Sequence, residues 1–249
     1  GQATNIGVNS ITGSTPSIAS DVSANTAAGF SIVKVTYNTS SPHTVAHGLS
    51  SAPEVIFGKR VSGSSVSAGD WNTYHKFIDP DTSAPETYFI KLNERDGRAD
   101  NVIYWNDTAP TSSVFTTGSI YDQNETVIFY CWHSVSGYSK IGTYEGNGTT
   151  DNKIFTTDDG TSTGSNGFKP NFVMLKNVDR DNTGWLIHDT ARDPVNTSYR
   201  TILANADTNE YVTTAYWLMD FESDGFRLKY GADNEFNRSG DTYIFMAFK

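Results

Sequence analysis

Several short motifs in this chain could do chemistry, and each carries a physical condition that it must meet. His43 and His47 are spaced H-x-x-x-H. In an extended strand, residues four apart lie ~13 Å from each other. Both rings then cannot reach one zinc at ~2 Å, and the glutamate of a zinc protease is missing. GTSTG at Gly160–Gly164 has the letters of a serine nucleophile elbow. That elbow needs a strand before it and a helix after it, whereas this one sits in the polar loop DDGTSTGSNG. DRDNTG at Asp179–Gly184 reads as the opening of a calcium loop, with Asp179, Asp181 and Thr183 at its first, third and fifth positions. The bidentate glutamate of the twelfth position is replaced by Thr190. These three residues are the candidate metal site, for calcium, and no other cofactor is indicated. DFESDG at Asp220–Gly225 puts Asp220, Glu222 and Asp224 on one face and reads as a solvated turn.

Two histidines recur. His75 follows Trp71, and His188 follows Trp185. No serine–histidine–aspartate or cysteine–histidine set repeats around either one. Trp71, His75, Trp185 and His188 are therefore expected to be a structural pair of pairs: two buried tryptophans in equivalent places, each with a hydrogen-bonded histidine nearby. The single cysteine, Cys131, lies in an apolar run and reads as a small core residue. No catalytic residue is assigned, and the chain is expected not to be an enzyme.

The elements that would position these residues are written twice. GFSIVKVTY at Gly29–Tyr37 returns as GYSKIGTY at Gly137–Tyr144, and HGLSSAPEVIFGKR at His47–Arg60 returns as NGFKPNFVMLKNVD at Asn166–Asp179. ETVIFYCWHSV at Glu125–Val135 returns as DTYIFMAFK at Asp241–Lys249. The spacing of these echoes is far longer than the ~20–50 residues of a solenoid repeat and matches a whole domain. With 13 Tyr, 14 Phe and 5 Trp among many Thr and Val, strand formers dominate, and short strands alternate with turn residues. The expected fold is all-β: two tandem antiparallel β-sandwich, jelly-roll-like domains at 29–136 and 137–249, preceded by an extended arm at 1–28. Strands are expected at, among others, 71–78, 101–105, 199–203 and 214–221, with a short helical turn within 190–210.

The arm has no aromatic residue and no Lys or Arg. Its Ile6, Val8, Ile11, Ile18 and Val22 are spaced for strands but bring too little apolar area for a core of their own. They are expected to pair with the sheet edge of another copy. In TVIFYCWHSV and TYIFMAF both alternating faces are apolar, so the second face needs cover from a loop, the other domain or another subunit. A net charge of −10 without a basic stripe excludes a nucleic-acid partner, and no apolar run of ~20 residues marks a membrane span.

GFSIV…TY, AHGL..AP, W..YHK, Trp105–Phe115 (WNDTAPTSSVF) and Gly137–Gly148 (GYSKIGTYEGNG) together resemble an uncharacterised β-rich repeat domain of virion and fibre-like proteins of aquatic bacteriophages. The resemblance covers residues 29–249 and carries no catalytic residues. It implies an extracellular or virion setting. The expected function is a structural subunit of a fibre, filament or virion appendage, a homopolymer built head-to-tail through the arm. The alternative is a carbohydrate- or receptor-binding module with glycan partners.

Overall fold

The computed structural model describes residues 15–39, 42–63, 69–81, 83–231 and 233–249, and the backbone of 2–6. The fold is an all-β antiparallel sandwich architecture, divided into two compact units. Unit one comprises Gly1–Leu92 and Ala99–His133. Unit two comprises Asn93–Arg98 and Ser134–Lys249.

Unit one holds β1 (Gln2–Ile6), β2 (Ser20–Asn25), β3 (Phe30–Thr36), β4 (His43–Ala46), β5 (Val55–Ser62), β6 (Trp71–His75), β7 (Tyr88–Lys91), β8 (Ala99–Asp100), helix α1 (Val102–Trp105), β9 (Val114–Thr117) and β10 (Thr126–Trp132). Its main sheet runs β1-β2-β3-β10-β5-β6-β7-β8, and β4-β9 form a small second sheet. On β10 the side-chain alternation of a strand decides which residues enter the core. Val127, Phe129 and Cys131 point inward and are fully buried, against Val33 and Val35 of β3, Ile56 of β5, and Val45 and Phe115 of the small sheet. The Phe115 and Phe129 rings meet edge-on at 4.9 Å across the sandwich.

Unit two holds β11 (Ser139–Glu145), β12 (Asn152–Phe155), β13 (Phe172–Asn177), β14 (Trp185–Asp189), β15 (Arg200–Leu203), β16 (Tyr211–Val212), β17 (Met219–Glu222), β18 (Gly225–Leu228) and β19 (Thr242–Phe248). Its main sheet runs β11-β19-β13-β14-β15-β16, with β12-β18-β17 as the second sheet. Phe226 of the second sheet packs edge-on against Phe245 at 5.2 Å. In both units the chain-terminal strand lies between the first strand of the repeated stretch and the strand that follows the Gly/Pro turn. That is β10 between β3 and β5, and β19 between β11 and β13.

The structure departs from the sequence reading at several places. Residues 15–28 are not a free arm. Ile18 and Val22 are buried in the unit-one core, and β2 forms a hairpin with β3 in full register from Ser20↔Val35 to Asn25↔Phe30. The segment needs no core of its own because it extends one that exists. The tight turn at Thr26–Gly29, with Gly29 at φ +63°, makes the in-chain hairpin local. Gly48, at φ +71°, shows how closely this strand packs, since a Cβ there would come within 2.8 Å of Val22 Cγ1. The backbone at Gln2–Ile6 pairs with β2 in turn, while Val8 and Ile11 lie outside the described residues.

Residues 102–105 form a helical turn rather than a strand. Asn101 caps it by accepting the Ile103 N–H at 3.2 Å, and Asn106 ends it in the left-handed region at φ +54°. Within 190–210, strand β15 (Arg200–Leu203) lies where a strand near 199–203 was expected, and Ala191 and Arg192 sit in a turn closed by the Asp193 N–H donating to the Asp189 carbonyl.

Trp71 and Trp185 do take corresponding register positions, opposite Lys59 and Lys176, but their burial differs. Trp185 is buried, whereas Trp71 is half-exposed with the Lys59 ammonium 5.5 Å above its ring. The histidines are not equivalent. His75 lies opposite Val55, while His188 lies opposite Val173, one place nearer the start of its strand. A one-residue slip reverses the face. His188 therefore points into the core beside Phe236, at 5.9 Å, and the matching inward place in unit one is held by Tyr74.

Candidate functional site

The most developed site is a polar cavity of about 320 Å³ in unit one, lined by Arg60, Asp70, Asn72, Tyr104, Ile120, Tyr121 and Asp122. Its size is at the lower end for small-ligand clefts, ~300–1,000 Å³. Each wall follows from a local feature of the chain. At the end of β5 the register slips: Thr126 faces Ser62 and Val127 faces Arg60, so Val61 is bulged out. Arg60 follows Ile56 and Gly58 on the inward alternate positions of β5, opposite Val127, and the bulge beyond it leaves Val61 exposed. Asn72 stands on the same face one strand over, opposite Gly58. Helix α1 supplies Tyr104, whose ring lies flat on Phe89 of β7 at 3.6 Å. The turn before β10 supplies Ile120, Tyr121 and Asp122.

The electrostatics are largely internal. Arg60 Nε sits 2.8 Å from Glu125 Oε2, which is fully buried, and Arg60 Nη2 donates to the Ile120 carbonyl at 3.1 Å. Glu125 Oε2 also accepts the Asp122 N–H at 2.9 Å, which ties the turn to the strand. Lys91 Nζ lies 2.7 Å from an Asp70 carboxylate oxygen. Asn72 Nδ2 donates to the Tyr121 hydroxyl at 3.1 Å, and Tyr121 stacks on Tyr37 at 5.1 Å. Burial pushes the Tyr121 phenol well above its ordinary range, so it stays neutral. The result is a fixed set of donors and acceptors with aromatic walls and an exposed carboxylate, Asp122, at the rim. The register puts Asn177 and Leu186 of unit two where Arg60 and Asn72 stand in unit one. The scaffold positions correspond, and the pocket chemistry does not.

The motifs singled out in the sequence are spread through the fold. His43 contacts Ser17 Oγ at 3.3 Å and Thr39 Oγ1 at 3.1 Å. His47 contacts the Thr111 carbonyl at 3.1 Å and accepts the Leu49 N–H. The two rings thus serve different partners. Burial lowers His47 to about 4 and His188 to about 3, so both are neutral in the fold. His75 accepts the Phe77 N–H, and His188 meets Thr201 Oγ1 at 3.2 Å.

In unit two the expected calcium loop is engaged by protein donors. Asp179 pairs with Arg98 and accepts the Thr242 N–H at 2.7 Å. Asp181 accepts the Gly97 N–H at 2.9 Å. Thr183 holds Lys176, whose ammonium donates to its carbonyl at 2.8 Å and its hydroxyl at 2.6 Å. Lys176 is buried, and desolvation lowers it to about 7. Among the described residues no three His, Cys, Asp or Glu side chains are grouped to hold a metal ion. In the Asp220–Gly225 turn, Lys153 bridges Glu222 and Asp224 at 2.8 Å each. The unit-one pocket could not be read from sequence because it depends on how the register and the loops bring β5, β6, α1 and the turn before β10 together. The available signal was the arginine ending the apolar run VIFGKR and the glutamate opening ETVIFYCW, two opposite charges at adjoining strand ends.

A second feature is the outward face of the unit-one main sheet. Ile128, Tyr130 and Trp132 of β10 are half-buried there, beside Phe30 and Ile32 of β3 and Trp71 of β6. Phe30 and Trp132 are 4.9 Å apart, Tyr130 and Trp132 6.3 Å, and Trp71 and Tyr130 6.0 Å. Ile32 is 37 % exposed.

Over residues 3–249 the chain matches the family described as a domain of unknown function (DUF7483), and it belongs to that family. No curated protein and no solved structure matches it.

Proposed function

We propose that this member of the DUF7483 family is a non-enzymatic structural subunit of an extracellular fibre, filament or virion appendage. The carrying observation is the outward apolar strip of unit one, with Phe30, Ile32, Tyr130 and Trp132 in adjoining rows. A sandwich strand with water on its outer face is expected to be polar there. A contiguous apolar patch marks an interaction surface, and the partner is another copy of the chain.

The corresponding strand orders of the two units support a duplicated scaffold, a common way to lengthen a structural element. The contact assigned here replaces the expected one through Ile18 and Val22, since both are consumed in their own core. Pairing of identical strips closes a dimer. Growth into a filament needs a second, unlike contact, for which β1, outermost of the described strands of its sheet, is the candidate edge.

Light scattering and negative-stain electron microscopy of the full chain test this reading. Association that is lost in Ile32→Lys, with the fold retained, supports it. A wild-type monomer at all concentrations refutes it.

A further inference from the structure

We infer that the unit-one cavity is a binding site for a neutral saccharide, a function separate from assembly. Recognition of a sugar needs neighbouring acceptors for its hydroxyl protons, donors for its oxygens, and a flat apolar wall for its C–H face. The cavity supplies all three from fixed groups. Asp70 is held by Lys91 at 2.7 Å, and Asp122 stands exposed at the rim. Two carboxylates facing one cavity are acceptors suited to adjacent hydroxyls. Asn72 spends one N–H on Tyr121 and retains its amide oxygen and second N–H. Tyr104, fixed by its stack on Phe89 at 3.6 Å, supplies the aromatic part of the lining.

The charge balance decides which ligand class fits. Arg60 and Lys91 are the cations in and behind the walls, and Glu125, Asp70 and Asp122 are the carboxylates. Each cation already faces one of these carboxylates, which leaves Asp122 as the surplus charge. A uronate, sulfated sugar or phosphate would meet a net negative site and be repelled. A free metal ion would find the Asp70 oxygen beside an ammonium. A neutral polyol meets neither penalty. The pocket is also built rather than incidental: Glu125, fully buried beside Arg60, anchors the Asp122 turn by accepting the Asp122 N–H.

The test uses the full chain and isothermal titration with neutral hexose and pentose oligosaccharides, uronic-acid oligosaccharides, inorganic phosphate and calcium chloride as separate probes. At least one neutral saccharide should bind, and the charged probes should not. Asp122→Ala, at an exposed position, should weaken that binding roughly tenfold or more while the melting temperature holds. Asp70→Asn should weaken it as well. If Asp70→Asn fails to fold, Asp122→Ala together with ligand-induced amide shifts at Asn72 and Tyr104 carries the test. Binding of none of the neutral saccharides, binding of uronates or phosphate instead, or neutral binding unchanged in Asp122→Ala each overturns the assignment. Loss of self-association in Ile32→Lys with saccharide binding intact separates this site from the assembly face.

Discussion

At the scale of single residues, the side chains with the largest consequences are charged or ionisable groups that the fold has removed from water. Arg60 and Glu125 form a pair whose acid is fully buried. Removing one partner of a buried pair leaves an uncompensated charge and costs about 3–5 kcal/mol. Arg60→Met should therefore lower unfolding stability by that order in urea melts. Arg60→Met combined with Glu125→Leu should recover much of it, and equal losses in single and double variants would contradict the pairing.

His47 and His188 give a pH dependence of definite sign. Burial lowers them to about 4 and about 3, while the unfolded chain titrates near the ordinary ~6.5. The unfolded state then binds more protons below ~6.5, so their contribution is complete above that pH and is lost as pH falls toward 4. Each lost proton is worth about 1.4 kcal/mol per pH unit at the steepest. Urea melts between pH 7 and 5 should show falling stability, and His188→Gln should flatten part of the slope. A flat profile in wild type would contradict the burial of both rings. The histidines also mark where sequence reading reached its limit. His75 and His188 were read as a matching pair, but Trp71-x-x-x-His75 and Trp185-x-x-His188 differ by one residue, and that difference puts them on opposite faces.

At the scale of elements, the short runs of strand-forming residues and the turn chemistry between them made the all-β class legible. Two kinds of information were not local. Helix α1 depends on two asparagines, Asn101 as cap and Asn106 in the left-handed region, around the strand-like letters VIYW. β2 depends on a neighbour, because its apolar residues count only once Val33, Val45 and Leu49 are there to receive them. Gly48→Ala tests the second point. It would force a left-handed residue, at about 1–2 kcal/mol, and drive a methyl against Val22 Cγ1. A loss of more than about 1 kcal/mol in thermal or urea melts is expected, and an unchanged melt would contradict the close packing of β2. Deleting residues through Ala28 should likewise destabilise unit one, because Ile18 and Val22 leave its core. A deletion variant as stable as the full chain would restore the free-arm reading.

At the scale of the whole molecule, two units share a strand order while their surfaces and pockets differ. The positions of Arg60 and Asn72 in the unit-one pocket are held in unit two by Asn177 and Leu186, so the shared scaffold carries different chemistry. The central claim is that the chain builds assemblies through the outward strip of unit one. Its most direct test is multi-angle light scattering of wild type and Ile32→Lys over a concentration series, with electron microscopy of the same samples. Wild type is expected to form dimers or larger ordered assemblies, and Ile32→Lys folded monomers. A wild-type chain that remains monomeric throughout, or a variant that assembles as wild type does, would contradict it.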